Sequence, residues 1–567
     1  MIRMSKKVLS IRKLAVYGSL ALLIASAAVL VTTDGRAQLA TDAGRIVGTC
    51  TETFPSYWQD PNPEFTTMWA GQAISGTRPP DWNGPVFRLS DHYPTYAVVE
   101  SNQPWRHSRF DPLFDPDTDL DTRTRLATEY AWLVMEYIQQ GNVSDDVDDE
   151  NDWDVCDNSV RGWYHMPFQT YDALSGREFS HGLTREAPVT FNVRNPDHPE
   201  SSIGLNTTMW AVAIFNPTAA YTIGRVWQRD GTAILPSSNL AFDDGAVVGK
   251  LLFTTASPAQ LPMLTNMPAW QANISDPSFC KCTGADGQQC TLAEVSQQCS
   301  RSTTIWGPVR LLQFDISVKD SRAPGTEWVF ATFVADGQRK FQESSWNRIS
   351  LLGLMWGNDT PPDGQLAHNN PVDPRENGFA EEVIIWNTVD MLNEAGGEVL
   401  AQQPGHLGCN SRLNGPADNA NSSCMSCHMT AAVPDELLRT PPIMAQFSSP
   451  SITSQCVIPD LDPRNGIDAA GVAAAWIDNI RFSDMDRIYF ANTNAGTPVD
   501  MTANLPPVVS VLGNEPVYAG GRTDWISLDY SLQLSISLVQ WGEWQRHLQN
   551  ENTQVHDRVL QAPLPGR

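Results

Sequence analysis

Between residues 205 and 358 the chain breaks into short runs rich in β-branched and aromatic residues, each bounded by Gly, Pro or Asp. The runs are 208–215, 221–227, 247–255, 309–318, 327–334 and 349–356. Each reads as a strand, and several in succession predict an antiparallel, sandwich-like β domain. No βαβ alternation and no Gly-rich phosphate loop interrupts them, which argues against a dinucleotide-binding fold. The fold class expected is mixed and β-rich: a sandwich-like domain followed by a mainly helical or irregular region.

The flanking segments divide the 567 residues further. Arg3, Lys6, Lys7, Arg12 and Lys13 precede an apolar run, Leu14 to Val31, and small residues Gly35 and Ala37 follow it. Residues 1–37 therefore read as a secretory signal peptide, with an uncleaved membrane anchor as the other reading. Either one exports the body of the protein, to the periplasm or outside the cell. Residues 38–204 are rich in Pro, Trp and Asp and read as irregular, apart from one helix. After Asp121, residues Leu126, Tyr130, Leu133, Val134, Tyr137 and Ile138 fall on a single helical stripe that stops at Gly141. The β-rich domain is expected over 205–379 and a third region over 380–567. There, 468–482 reads as a helix, whereas 530–544 suits a strand or a helix equally.

Export changes the reading of ten cysteines, because thiols in an oxidising compartment usually pair. Two of them stand apart in Cys424-Met-Ser-Cys427-His428, a CxxCH sequence and the attachment signature of c-type haem. Residues at i, i+3 and i+4 share one face of a helical turn. Two thiols so placed meet the two vinyl groups of haem, and the histidine directs a ring nitrogen at the iron. A disulfide, half of a zinc site and a redox-active CxxC are the competing readings. Cys280, Cys282, Cys290 and Cys299 fit two disulfides stapling a long loop better than zinc. Cys50, Cys156, Cys409 and Cys456 complete an even set of eight, with Cys409–Cys456 the preferred pair.

The stretch Leu413-Asn-Gly-Pro-Ala-Asp-Asn-Ala-Asn-Ser-Ser-Cys424-Met-Ser-Cys427-His428 resembles the haem segment of c-type cytochromes, in particular large exported bacterial monohaem proteins. The resemblance covers about 20 residues around the motif. It implies one covalent haem c on Cys424 and Cys427, with His428 as proximal ligand to the iron. Candidates for the distal position are Met501, His165 and His181. Each competes with an ordinary structural role.

Two acidic ladders are candidate Ca²⁺ loops: Asp111, Asp115, Asp117, Asp119 and Asp121, then the aspartates and Glu150 between 145 and 154. Neither follows the EF-hand pattern, and solvated loops are the competing reading. Nineteen tryptophans suit a wide core or, if exposed, a glycan-stacking surface, and the core is preferred. A net charge of −26 disfavours nucleic acid and suits a redox partner with a basic docking surface. The leading expectation is one-electron transfer by a monohaem c-type cytochrome. A haem-dependent oxygenase or peroxidase-like enzyme, its substrate held by the β domain, is the second. A glycan- or surface-binding module with an accessory haem is the third.

Overall fold

In the computed structural model the chain divides into two units, 1–45 and 46–567. The structure describes residues 85–143, 153–169, 183–271, 308–359, 374–396, 407–434, 508–509, 516–517 and 525–549, with short gaps inside these ranges. All of them belong to the second unit. The leader, His181, Met501, the 468–482 segment and every cysteine except Cys424 and Cys427 lie outside the described residues.

The first α-helix among the described residues, α1 (Leu120–Gln139), begins one residue before Asp121. Its N-cap is Asp119, whose carboxylate accepts from the Thr122 N–H at 2.9 Å. That bond, with the side-chain bond to Thr122, holds the Asp119 carboxyl below its usual range. Most of the expected stripe is buried: Leu126, Tyr130, Val134, Tyr137 and Ile138 are at most 4% exposed, and Leu133 is half-buried.

An antiparallel eight-stranded sheet carries the rest. Its strands are β1 (Thr184–Arg185), β4 (Met209–Phe215), β5 (Val247–Thr254), β6 (Ala269–Gln271), β7 (Pro308–Lys319), β8 (Trp328–Ala335), β9 (Ile349–Met355) and β10 (Glu382–Ile384). The order across it is β1-β4-β5-β7-β8-β9-β10, with β6 also paired to β7. The architecture is thus mixed and partly β-rich, and five of the six expected strands are present. The three remaining described sheets have two strands each: β2 (Val189–Arg194) with β3 (Ser202–Thr207), β11 (Ala432–Pro434) with β14 (Trp525–Ser527), and β12 (Val508–Val509) with β13 (Pro516–Val517).

The sixth expected strand, 221–227, is a correction. Helix α2 (Pro217–Ile223) occupies its first half. Asn216 caps α2 by accepting from the Ala219 N–H at 2.9 Å, and Pro217 presets the first turn. Cap, proline and two alanines outweigh the β-branched Thr222 and Ile223. Helix α3 (Trp386–Gly396) follows β10, and the ambiguous 530–544 segment is helical from Leu532 onward, in α5 (Leu532–Gln549).

The sheet has two differently built faces. On one, Trp132 of α1 meets Phe333 edge-on at 4.9 Å. Trp153 packs on Phe314 on the same side. Gly249 lies against Ile138 so closely that a Cβ would stand 3.3 Å from its Cδ1. Trp105, Trp153, Trp163, Trp210, Trp227, Trp346 and Trp356 are all fully buried, so these indoles fill the core and none offers a glycan platform. The opposite face presents Lys250, Gln313, Asp315, Ser317, Lys319 and Thr332 by strand alternation. In β7 the pattern Gln-Phe-Asp-Ile-Ser-Val-Lys has the look of a solvated face. Here it is covered: Asp418 and Cys424 lie over Gln313 and Thr332, and Asp529 over Lys319, and all three strand residues are at most 4% exposed.

Candidate functional site

The CxxCH motif forms a single turn, α4 (Cys424–His428). A reciprocal capping box starts it. The Ser426 N–H donates to Ser423 Oγ at 3.1 Å, and the Ser423 N–H donates to Ser426 Oγ at 2.7 Å. Ser423 Oγ also donates to Asn358 Oδ1 at 3.0 Å, tying the cap to the loop after β9. Upstream, the Cys424 N–H donates to the Leu413 carbonyl at 3.0 Å. Leu413 is held in turn by a buried cluster in which Arg412 pairs with Asp359 and Glu382 and stacks on Phe379 at 4.0 Å.

The turn sorts its side chains. Met425, Ser426 and Met429 are buried in the protein, whereas Cys424, Cys427 and His428 are half-buried and share the open side. Neither cysteine is in a disulfide. Burial first, then the charges of Asp418 and Asp315, push the Cys424 thiol well above its usual value. That is the reverse of a reactive CxxC, where the attacking thiol is acidified.

His428 is oriented from two sides. Its ring packs on Phe330 of β8, centroids 4.2 Å apart. Its Nδ1 lies 2.8 Å from the Tyr530 carbonyl, which can only accept, so Nδ1 carries the proton and Nε2 keeps its lone pair. Burial lowers its pKa to about 4, with Lys250 adding to the effect and the Tyr530 bond opposing it. The imidazole is therefore neutral near pH 7, as a metal ligand must be. A c-type haem fits these residues: two thiols and an imidazole lone pair on one open side of a turn.

Beside Cys424 lies a polar cluster that strand reading alone did not single out. Thr332 Oγ1 donates to Asp315 at 2.9 Å and stands 3.8 Å from Cys424 Sγ. The Gln313 amide bridges Asp315 and Asp418, each at 2.8 Å, so the two carboxylates face one another across a single nitrogen. Lys250 is 3.4 Å from Glu186 and also acts on both aspartates. Burial and the neighbouring Asp418 lift the Asp315 carboxyl to about 8. The sequence signal for this cluster was the polar half of the β7 alternation.

The other expected site residues are placed elsewhere. His165 is buried in the segment whose Tyr164 bridges Phe215. From Phe215 the row runs through Val248 and Ser317 to Phe330, under His428. Four strand spacings separate Tyr164 from Phe330, on the order of 19 Å. Along the sheet, the strand that meets Tyr164 is thus set apart from the one whose Phe330 supports His428. Of the first acidic ladder, Asp111 accepts from Arg322, Asp115 from the Asp117 N–H, and Asp119 caps α1. These aspartates stabilise turns and a helix start, and among the described residues no three His, Cys, Asp or Glu side chains gather to hold a metal ion. No described helix is long and apolar enough to cross a membrane.

No protein-family model, no curated protein and no solved structure matches this chain. What the site can do is read from its own residues.

Proposed function

We propose that the protein is an exported monohaem c-type cytochrome, with haem joined to Cys424 and Cys427 and its iron held by His428 Nε2. One observation carries this reading: the three side chains that the motif needs are the ones α4 leaves on its open side, with the imidazole neutral and its other nitrogen tied to Tyr530. When bound there, haem supplies a reversible one-electron change at iron. The chain's part is to orient the imidazole through Tyr530 and Phe330, and to set the polarity at the attachment edge through Asp315, Thr332 and Asp418. In this reading the sandwich-like β body and the helical and irregular region from 380 onward form one haem-bearing unit, with 1–37 as its export signal.

The polar cluster favours a second reading, that of a haem-dependent oxidoreductase. A lysine, two bridged aspartates and a threonine beside Cys424 form a set of proton-exchanging groups for which a simple electron carrier has no evident use. A visible spectrum of the purified protein, oxidised, reduced and under CO, separates the two. A carrier is expected to be six-coordinate and low-spin and to refuse CO, whereas an enzyme with an open sixth position should be high-spin and bind it. A colourless protein sinks both.

The acidic chain should also show itself in kinetics. Reduction by a basic redox protein is expected to slow about tenfold between low and physiological salt, measured by stopped flow. A salt-independent rate would remove the basic docking partner from the account.

A further inference from the structure

The carbonyl that holds His428 is itself held, by the neighbouring Asp529, whose hydrogen bonds go to other parts of the fold. Asp529 and Tyr530 have φ of 50° and 62°, two consecutive non-glycine residues in the left-handed region just before α5. Such backbone costs on the order of 1–3 kcal/mol per residue and persists only where its surroundings over-determine it. Backbone bonds hold both sides of the bend, Leu528 N–H to the Ala431 carbonyl and Ser531 N–H to the Leu528 carbonyl, and one carboxylate ties it to the rest of the fold. Asp529 is fully buried. Its Oδ1 accepts from Lys319 Nζ at 2.9 Å and from Trp328 Nε1 at 3.2 Å, and its Oδ2 accepts from the Phe242 N–H at 2.7 Å. Its own N–H donates to Ser527 Oγ at 3.1 Å. The donors come from β7, from β8 and from the loop before β5, so three parts of the fold converge on this bend.

The same carboxylate reaches both supports of the imidazole. Along the chain it fixes the bend that aims the Tyr530 carbonyl at Nδ1. Across the sheet it anchors Trp328, which stacks on Phe330 at 6.1 Å, and Phe330 is the ring under His428.

We propose that Asp529, charge-paired with Lys319, is the positioning residue for the axial imidazole: it sets the tautomer and tilt of His428 and through them the balance between oxidised and reduced iron. This rests on the haem reading given above. A firm Nδ1–H···O bond raises the basicity of the ligating nitrogen and favours the oxidised metal. Loosening it should favour the reduced form.

The test is the reduction potential of holoprotein carrying D529N, K319M or W328F, alongside wild type, with covalent haem counted by mass. D529N is expected to retain haem and to shift the oxidised–reduced equilibrium about tenfold toward reduced iron, 59 mV for one electron. Bare charge would move D529N up and K319M down, because one loses an anion and the other a cation. Positioning moves both up, since either change frees the bend. W328F removes one donor without changing charge, so it serves if the other two variants fail to fold, and it should shift the same way by less. An accompanying change in the low-spin EPR signal, which reports the imidazole orientation, supports the proposal. Haem-loaded variants with an unchanged potential overturn it, as does a K319M that shifts downward. Wild type lacking covalent haem overturns the haem reading itself, and the positioning role with it.

Discussion

Replacing Cys424 and Cys427 together by serine is expected to abolish covalent haem completely while leaving the β sheet intact. The two thiols are half-buried on the open side of α4, and neither is in a disulfide that holds the fold together. The anchors of the segment lie elsewhere, in the Ser423–Ser426 capping box, the Asn358 bond and the Arg412–Glu382–Asp359 cluster. Denaturing electrophoresis with a haem stain, and the intact mass, should show the wild type carrying one haem and the double variant none. Circular dichroism should differ little between the variant and apoprotein. If the wild-type colour is extracted by acid–acetone, or the double variant keeps its stain, the attachment site is elsewhere and the account of α4 fails.

The second large effect concerns pH. Burial lifts the Glu382 carboxyl from 4.5 to about 8, against the opposing pull of Arg412 and with Asp359 adding to the rise. Asp315 moves the same way. Both groups hold a proton in the folded chain that the unfolded chain releases above pH ~4. Their contribution to stability is therefore complete below about pH 4 and is lost as pH rises toward about 8. His428 works in the other sense. Its lowered pKa adds stability above its unfolded value of 6.5, and that is lost as pH falls toward about 4. The fully buried Glu382 isolates the carboxyl effect. Its displacement sets a ceiling of about 5 kcal/mol, and relaxation around the Arg412 pair reduces this to about 1–3 kcal/mol. Relative to wild type, E382Q is expected to gain that amount between pH 5 and pH 8, read from chemical denaturation at each pH. A difference between the two proteins that stays flat with pH would show Glu382 to be ionised throughout.

Much of this architecture was legible because it is local. The stripe from Leu126 to Ile138 and the five correct strands follow from side-chain periodicity, which neighbouring residues enforce on one another. The sixth strand was misread where a cap outranked intrinsic preference. Asn216 and Pro217 start a helix just ahead of β-branched residues that would otherwise favour extension. The start of α1 lies at Leu120, ahead of the Thr122 that follows Asp121, for a related reason. Several aspartates in a row all qualify as caps, and Asp119 is the one whose oxygen meets the Thr122 N–H.

The candidate site divides along the same line. Cys424, Cys427 and His428 were readable from spacing alone, because i, i+3 and i+4 meet on any helical turn whatever surrounds it. Their surroundings were not readable. The Tyr530 carbonyl that selects the His428 tautomer is 102 residues away, and the Asp418 that faces Asp315 is 105 residues from Gln313 between them. The alternation in β7 announces one polar face but does not say whether water or a covering segment meets it. Here covering segments meet it, Asp418 and Cys424 at one end and Asp529 at the other, which gives Gln313, Asp315 and Lys319 fixed partners and raises the Asp315 carboxyl.

Sequence by itself determined the motif, the turn it must form and most of the central strands, since these depend on backbone periods spanning a few residues. Only the tertiary structure decided which buried charges surround that turn and which carbonyl faces its imidazole. Those depend on segments brought together across the sheet, where removal from water makes each polar contact count.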